Sequence, residues 1–155
     1  MEIRVICMGK TIEKYLDEGI ENYSRRLKHY VKFSLVIVPH PKLKGDLSWD
    51  DIKNAESDLF KKVLGHEPYI LLDEKGKEFT SISFARFIQD EFNRGGKRLN
   101  FVIGGAFGFS KDMYEGATSQ IALSQLTFSH QLVRLVALEQ LYRAMSILKG
   151  EKYHH

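Results

Sequence analysis

The sequence predicts an α/β protein in which a parallel β-sheet is flanked by helices. Short runs of β-branched and aromatic residues alternate along the chain with longer segments whose apolar residues recur at helical spacing. Because strands separated by helices pair in parallel through right-handed crossovers, helices are expected on both faces of the sheet. The chain has 155 residues and no Gly/Ser linker, so a single domain is predicted over residues 1–155.

The first half of the chain predicts three strands and two helices. Apolar runs at 3–8, 33–38 and 69–72 are typical of strands. Between the first two, apolar residues recur at helical spacing from Tyr15 to Tyr30, and the opposite face is charged. Between the second and third, Ser48 and Asp51 have the spacing of a capping box and open another helix.

The second half predicts two strands and three helices. A helix begins near Ser81 or Ser83 and ends at a Gly-Gly pair, and a strand follows at 99–103. A glycine loop, a short helix capped by Ser110 and a strand at 120–123 come next.

The last helix, residues 131–149, begins near Ser129 or His130 and is apolar on nearly every side. Such a helix has to be covered on two sides in a small protein. The sheet covers one side, and a second copy of the chain is predicted to cover the other, which makes a homodimer.

Composition excludes several classes of protein. The single cysteine, Cys7, cannot form an internal disulfide, and thiolate pairs at zinc-ligand spacing are absent, so no metal is predicted. No apolar run approaches the roughly 18 residues of a membrane span, and no signal peptide is recognisable. These features predict a cytoplasmic protein without a membrane partner.

The excess of basic residues behind the net charge of +3 lies entirely within the first 44 residues. It includes Arg25, Arg26, Lys28 and Lys32. Such a cluster could hold the phosphates of a nucleic acid, although a solvated helix face explains it equally well.

Three segments are expected to meet at the carboxyl edge of the sheet, where open parallel sheets bind ligands. They are residues 73–77, the glycine loop at 104–109 and the polar segment 124–130. The glycine loop lacks the spacing of a dinucleotide fingerprint and of a P-loop. The segment 124–130 could wrap an adenine with backbone groups, or it could be a plain strand-to-helix connection.

Several polar residues near the carboxyl end are candidates for chemistry. His130, at a helix start, is either a proton acceptor or a structural hydrogen-bonding group, and Arg134 and Arg143 could hold phosphates. Tyr153 and His154 could stack on a base or move a proton near neutral pH, the alternatives being a frayed terminus or a tag remnant.

Taken together, these segments resemble one family. Residues 101–108, 123–130, 141–144 and 153–154 occur in the order and spacing of SPOUT-class methyltransferases that modify N3 of a pseudouridine in large-subunit ribosomal RNA. The resemblance also covers Gly9-Lys10 and the Tyr23-x-Arg25-Arg26 pattern. It implies a SPOUT fold with a carboxyl-terminal trefoil knot within about residues 100–150, a homodimer, S-adenosylmethionine as cofactor, and 23S rRNA in the assembled 70S ribosome as substrate.

The resemblance also implies roles for individual residues. The cofactor positions are Leu72, Gly104, Leu123, Ser124, Gln125, Leu126, Thr127 and Phe128. The catalytic candidates are His130, Arg143, Tyr153 and His154, and Arg134 is an RNA-binding candidate. An RNA substrate also needs a basic surface, for which the candidates are Arg25, Arg26, Lys28 and Lys32, because phosphate binding scales with the number of neutralised charges. Several relatives carry Lys or Arg where this chain has His155, which puts one RNA contact in doubt. A ribosome-binding or assembly protein without catalytic turnover is the alternative function.

Overall fold

The computed structural model describes residues 1–155, in which strands and helices alternate throughout. The strands are β1 (Glu2–Met8), β2 (Lys32–Val38), β3 (Tyr69–Glu78), β4 (Arg98–Ile103) and β5 (Ser119–Ala122). The helices are α1 (Lys14–Leu27), α2 (Trp49–Leu64), α3 (Ser81–Asn93), α4 (Lys111–Gly116) and α5 (Leu132–Leu148).

The five strands form one sheet in the order β2-β1-β4-β3-β5, and every neighbouring pair is parallel. The predicted α/β fold is therefore confirmed. Because β4, β3 and β5 are neighbours, the segments that follow them lie side by side at one edge of the sheet.

The helices cover both faces of the sheet, as predicted. Residues of α1, α3 and α5 pack with strand residues such as Val5 and Phe101 in one apolar core. Residues of α2 and α4, among them Phe60 and Met113, pack with the other face of the sheet in a second core. None of the helices is long and apolar enough to cross a lipid bilayer.

Strand β3 is longer than the sequence predicted. Leu72 and Lys77 both pair with Ile121, so residues 73–76 bulge out between two paired stretches instead of ending the strand in a loop. Gly76 is needed in this bulge, because a Cβ there would lie 2.5 Å from the backbone of Gln120. The bulge directs polar residues toward the carboxyl edge of the sheet.

The helix starts agree with the sequence, including that of α3, which begins at Ser81. The capping box of α2 is present, since Asp51 N donates to Ser48 Oγ and Ser48 N donates to Asp51 Oδ2. Ser110 caps α4 as predicted. The N-cap residue of α3 is Thr80, and Ser83, the third helical residue, forms a capping box with it.

Helix α5 begins at Leu132 and lies between α1 and α3. Gly19 of α1 permits this packing, because a Cβ there would lie 2.9 Å from Leu135 Cδ1. The sequence predicted that a second copy of the chain covers the side of α5 that faces away from the sheet. Helices α1 and α3 of the same chain cover part of that side. A narrower face, on which Leu132 is 40% exposed, remains uncovered.

Candidate functional site

A cleft of about 670 Å³ opens at the edge of the sheet where β4 and β5 end and where β3 bulges after Leu72. Its walls are Leu72 with the start of the β3 bulge, the glycine loop over residues 103–109, and the segment that joins β5 to α5. The structure therefore brings the three predicted segments together around one cavity.

The glycine loop presents bare backbone to this cleft. Gly108 has a φ of 82° and donates its N–H to Gly105 O at 3.2 Å, which closes the loop on itself. A Cβ on Gly104 would lie 3.3 Å from the backbone of Gly108. The glycines thus allow two stretches of main chain to approach each other closely. A ligand can lie directly against the main chain of this loop.

Side chains tie the β5–α5 segment to β3. Thr127 Oγ1 donates to Glu74 Oε2 at 3.0 Å, and Gln125 Nε2 donates to Glu78 Oε2 at 2.9 Å. Of the predicted cofactor positions, those that line the cleft are Leu72, Gly104, Leu123, Ser124, Leu126, Thr127 and Phe128. Gln125 is not among the lining residues.

A hydrogen bond from α4 holds the β3 bulge in place. Tyr114 Oη donates to Asp73 Oδ2 at 2.6 Å, and Lys75 N donates to Asp73 Oδ1 at 2.9 Å. Burial, followed by this bond to Asp73, raises the pKa of Tyr114, so the phenol stays protonated and continues to donate.

An aromatic pair that sequence reasoning missed lies at the rim of the cleft. Trp49, the first residue of α2, stacks on Phe107 of the glycine loop with ring centroids 5.2 Å apart. Trp49 is nevertheless 69% exposed. A large aromatic residue inside a glycine loop is the one signal in the sequence that could have pointed to it.

A buried carboxyl group, also missed, lies beneath the glycine loop. Glu56 is 4% exposed, and a Cβ on Gly105 would lie 2.5 Å from Glu56 Oε1. Its Oε2 has no hydrogen-bond partner, and burial raises the pKa of this carboxyl. The sequence signal is an acidic residue on the apolar stripe of α2.

His130 lines the cleft where α5 approaches it. Burial, and then the positive charge of Arg134 and the nearby His40, lower the pKa of His130. Its imidazole is therefore neutral at pH 7 and able to accept a proton. Nowhere does the chain gather three His, Cys, Asp or Glu side chains that could hold a metal ion.

Arg134, which the sequence analysis placed among RNA-binding residues, is instead fully buried. Its guanidinium donates to Met8 O at 2.6 Å and Gly9 O at 2.8 Å, at the carboxyl end of β1. Nε donates to His130 O at 3.1 Å. The group satisfies main-chain carbonyls inside the protein and offers no surface to a phosphate.

The structure brings Arg143, Tyr153 and His154 together in a tail cluster. The Arg143 guanidinium lies 4.8 Å from the Tyr153 ring centroid, and its Nη1 is 3.4 Å from His154 Nδ1. Arg143 Nη2 donates to Glu139 Oε1 at 2.6 Å, and this bond raises the pKa of the guanidinium. Burial, followed by a hydrogen bond to Tyr23, raises the pKa of Tyr153.

This tail cluster is remote from the cleft of the same chain. Val133 lines the cleft, whereas Arg143 lies ten residues further along α5, which is about 15 Å at 1.5 Å per residue. The structure thus separates His130 from the other three catalytic candidates.

The exposed basic residues near the end of α1 do not form one surface. Arg26 lies over the Tyr142 ring at 5.6 Å, toward α5. Lys28 lines a shallow depression beside β2, and Lys32 lies 3.9 Å from Glu2. Arg25 is exposed at the end of the helix.

The fold and the cleft define a class of α/β proteins that bind a ligand at the carboxyl edge of a parallel sheet. Among solved structures, a probable methylase family protein from Haemophilus influenzae has a TM-score of 0.55 at 12% identity, covering 99% of this chain and 70% of that one. A probable methyltransferase from Bordetella pertussis has a TM-score of 0.55 at 13% identity, covering 92% and 95%. At these identities the likeness concerns the fold alone.

Sequence comparison defines the family. The family model described as "Predicted SPOUT methyltransferase" matches residues 1–154. Proteins named ribosomal RNA large subunit methyltransferase H, from Christiangramia forsetii and Cytophaga hutchinsonii, are each 49% identical over 100% of this chain, covering 99% and 100% of their own lengths. The chain belongs to the SPOUT methyltransferase family.

Proposed function

We propose that this protein transfers the methyl group of S-adenosylmethionine to N3 of a pseudouridine in the 23S rRNA of assembled 70S ribosomes. The cleft built from the β3 bulge and the ends of β4 and β5 is the observation that carries the proposal. Full-length relatives named for methylation of large-subunit ribosomal RNA support the substrate class. Ribosomes are cytoplasmic, and the proposed site of action is therefore the cytoplasm.

The size and lining of the cleft support this choice of cofactor. A volume of about 670 Å³ falls within the range of small-molecule sites. Leu72, Gly104 and residues 123–128 would hold the adenosine and methionine parts through apolar contacts and main-chain groups. When bound, the cofactor supplies an electrophilic methyl group on a sulfonium.

The remaining chemistry belongs to residues of the chain. N3 of pseudouridine is an imide nitrogen that must lose its proton before it attacks, so the site needs a proton acceptor and a group that stabilises negative charge on the base. Neutral His130 in the cleft and His154 in the tail cluster are the acceptor candidates. Arg143, whose raised pKa keeps it charged, would stabilise the base, and Tyr153 would position it.

A homodimer would complete this site. Since about 15 Å of helix separates the cleft from the tail cluster in one chain, the tail that serves a cleft must come from a second protomer. Antiparallel packing of two α5 helices across the uncovered face at Leu132 would bring each tail to the other chain's cleft. Ile12, 80% exposed and hydrogen-bonded through its N–H to Gln131, extends the apolar part of that face.

The test is methyl transfer from labelled S-adenosylmethionine to ribosomes that lack the modification. Assembled 70S ribosomes, isolated large subunits and naked 23S rRNA are compared, and the product nucleoside is identified by mass spectrometry. We expect N3-methylpseudouridine, preferentially in assembled ribosomes. Cofactor binding without transfer to any of the three would point to another RNA target or a lost catalytic group. A folded protein that binds no cofactor would favour the alternative of a ribosome-binding or assembly protein without turnover.

A further inference from the structure

A second pocket, of about 400 Å³, lies between α1 and the carboxyl end of α5, on the side of the molecule that holds the tail cluster. It is lined by Arg26, His29, Tyr30, Tyr142, Lys149 and Glu151. None of these residues lines the cleft described above. Of these residues, Arg26 alone is among the site residues that the sequence predicted.

The pocket offers cationic groups that form no ion pair. Arg26 Nε donates to Asn22 Oδ1 at 3.1 Å and the guanidinium lies over the Tyr23 and Tyr142 rings, while its terminal nitrogens form no hydrogen bond and can face a ligand. Lys149, just after the last turn of α5, and His29 are both exposed. With Glu151 as the one acidic group, the lining has a formal charge of +1 with His neutral, which favours a phosphate over a cationic ligand.

The walls of the pocket are aromatic. Tyr30 and Tyr142 meet edge to face with centroids 5.6 Å apart, and both side chains are half-buried. Phenol rings beside free cations are the combination with which proteins hold single-stranded nucleic acid, because rings contact bases or sugars while cations contact the backbone.

The pocket is continuous with the tail cluster. The Tyr142 ring contacts the Tyr153 ring with centroids 4.7 Å apart. A nucleotide in the pocket would therefore lie within one or two nucleotides of a base held by Tyr153 and His154.

We propose that this pocket binds a nucleotide of single-stranded RNA that flanks the methylated base. The inference rests on the proposed function, since it takes ribosomal RNA as substrate. Lys149, Arg26 and His29 hold the phosphate, and the two tyrosines hold the base or the ribose. The pocket thus fixes the position of the RNA loop relative to the methyl donor.

Glu151 gives the pocket a means to distinguish RNA from DNA. One of its oxygens accepts the Tyr30 hydroxyl hydrogen, and this bond raises the pKa of Tyr30, so the phenol remains the donor. The other carboxylate oxygen can accept a ribose 2′-hydroxyl, a group that DNA lacks.

The first experiment measures the affinity of the full-length protein for a fluorescently labelled, uridine-rich RNA decamer at several salt concentrations. We expect Lys149→Ala to weaken binding roughly tenfold and to reduce the salt slope by about 0.7, the value for one phosphate contact on a single strand. The control is Lys62→Ala, which removes the same charge from α2 on the opposite face of the sheet and should leave the affinity unchanged. Equal affinities for the two variants would overturn the proposal.

The second experiment uses a DNA decamer of the same sequence. The wild type should bind RNA more tightly than DNA, and Glu151→Ala should remove most of that preference. An unchanged preference would overturn the part assigned to Glu151. Lys149→Ala should retain the wild-type affinity for S-adenosylmethionine, measured by calorimetry, and a lost affinity would show that the variant had altered more than the pocket.

These readouts separate the pocket from the proposed function. If ribosomes are not methylated but the decamer binds as expected, the proposed function fails and the pocket remains an RNA site. If ribosomes are methylated and Lys149→Ala leaves both RNA affinity and the KM for ribosomes unchanged, the pocket proposal fails alone.

Discussion

At the scale of single residues, Arg134 shows how a charged group can serve the fold. It is the largest fully buried side chain and saturates the carbonyls that end β1. The sequence predicted RNA binding for it because it is an arginine, a candidate phosphate ligand, at a position that matches the family. Its partners, Met8 and Gly9, lie far from it along the chain, so no local pattern could have revealed them.

We expect Arg134→Met to lower the free energy of unfolding by about 2–4 kcal/mol, because it leaves the carbonyls of Met8 and Gly9 without donors in a buried position. Urea denaturation measures the change. Arg25→Met, at an exposed position, is the control and should stay within about 0.5 kcal/mol of wild type. Equal stability of both variants would mean that water replaces the guanidinium.

Glu56 makes stability depend on pH. Its folded-state pKa is raised by burial, so between its ordinary pKa and the raised value the folded protein binds more protons than the unfolded chain. This contribution to stability is greatest below the ordinary pKa and is lost as the pH rises through the raised one. We expect Glu56→Gln to stabilise the protein at pH 8 relative to wild type and to change it least at pH 4, as urea denaturation at each pH would show. A difference of the same size at both pH values would contradict this assignment.

At the scale of elements, the docking of the tail on α1 and α5 is the feature that sequence could not predict. Tyr153 meets Tyr142, Arg143 and Glu139 of α5 and Tyr23 of α1, all through side chains. The strands could be predicted from the sequence, because apolar runs such as residues 99–103 are typical of a buried parallel strand. The extension of β3 was missed because residues 73–77 are polar and contain a glycine, a composition typical of a loop.

We expect Tyr153→Ala to lower the rate of methyl transfer at least about a hundredfold while leaving the affinity for S-adenosylmethionine unchanged, because the tail loses its main anchor and lies away from the cleft of its own chain. Transfer assays and calorimetry measure the two quantities. Tyr15→Ala is the control, since Tyr15 is 68% exposed near the start of α1. A parallel loss of cofactor affinity would show that the tail takes part in cofactor binding and would contradict this prediction.

At the scale of the whole molecule, the position of the cleft could be predicted from the sequence. Whether one chain supplies all the catalytic candidates to its own cleft could not. The carboxyl ends of parallel strands meet at one edge in any such sheet, which is why three separate segments could be assigned to one site. The rise of α5 alone separates His130 from Arg143, but only the structure shows that the tail docks on α1 and α5, away from the cleft of its own chain. The trefoil knot within about residues 100–150 stays a prediction from the resemblance.

The composite site predicts that two inactive variants complement each other. Gly104→Leu forces a side chain against the Gly108 backbone and should block the cleft, whereas Tyr153→Ala should disable the tail. In a heterodimer of the two, one cleft and the tail that serves it are both intact, so we expect about half of the wild-type rate. The two variants, each carrying a different affinity tag, are co-expressed and the heterodimer is isolated for the assay. An inactive heterodimer would show that each chain completes its own site.

The stacked pair at the rim of the cleft has an experimental consequence. Trp49 is the only tryptophan in the chain, and it lies on Phe107 in the glycine loop. Its fluorescence therefore reports on the contact between the start of α2 and this loop. A ligand that enters the cleft and displaces Phe107 changes the tryptophan emission. Ligand binding to the cleft can therefore be measured by the intrinsic fluorescence of the unlabelled wild-type protein.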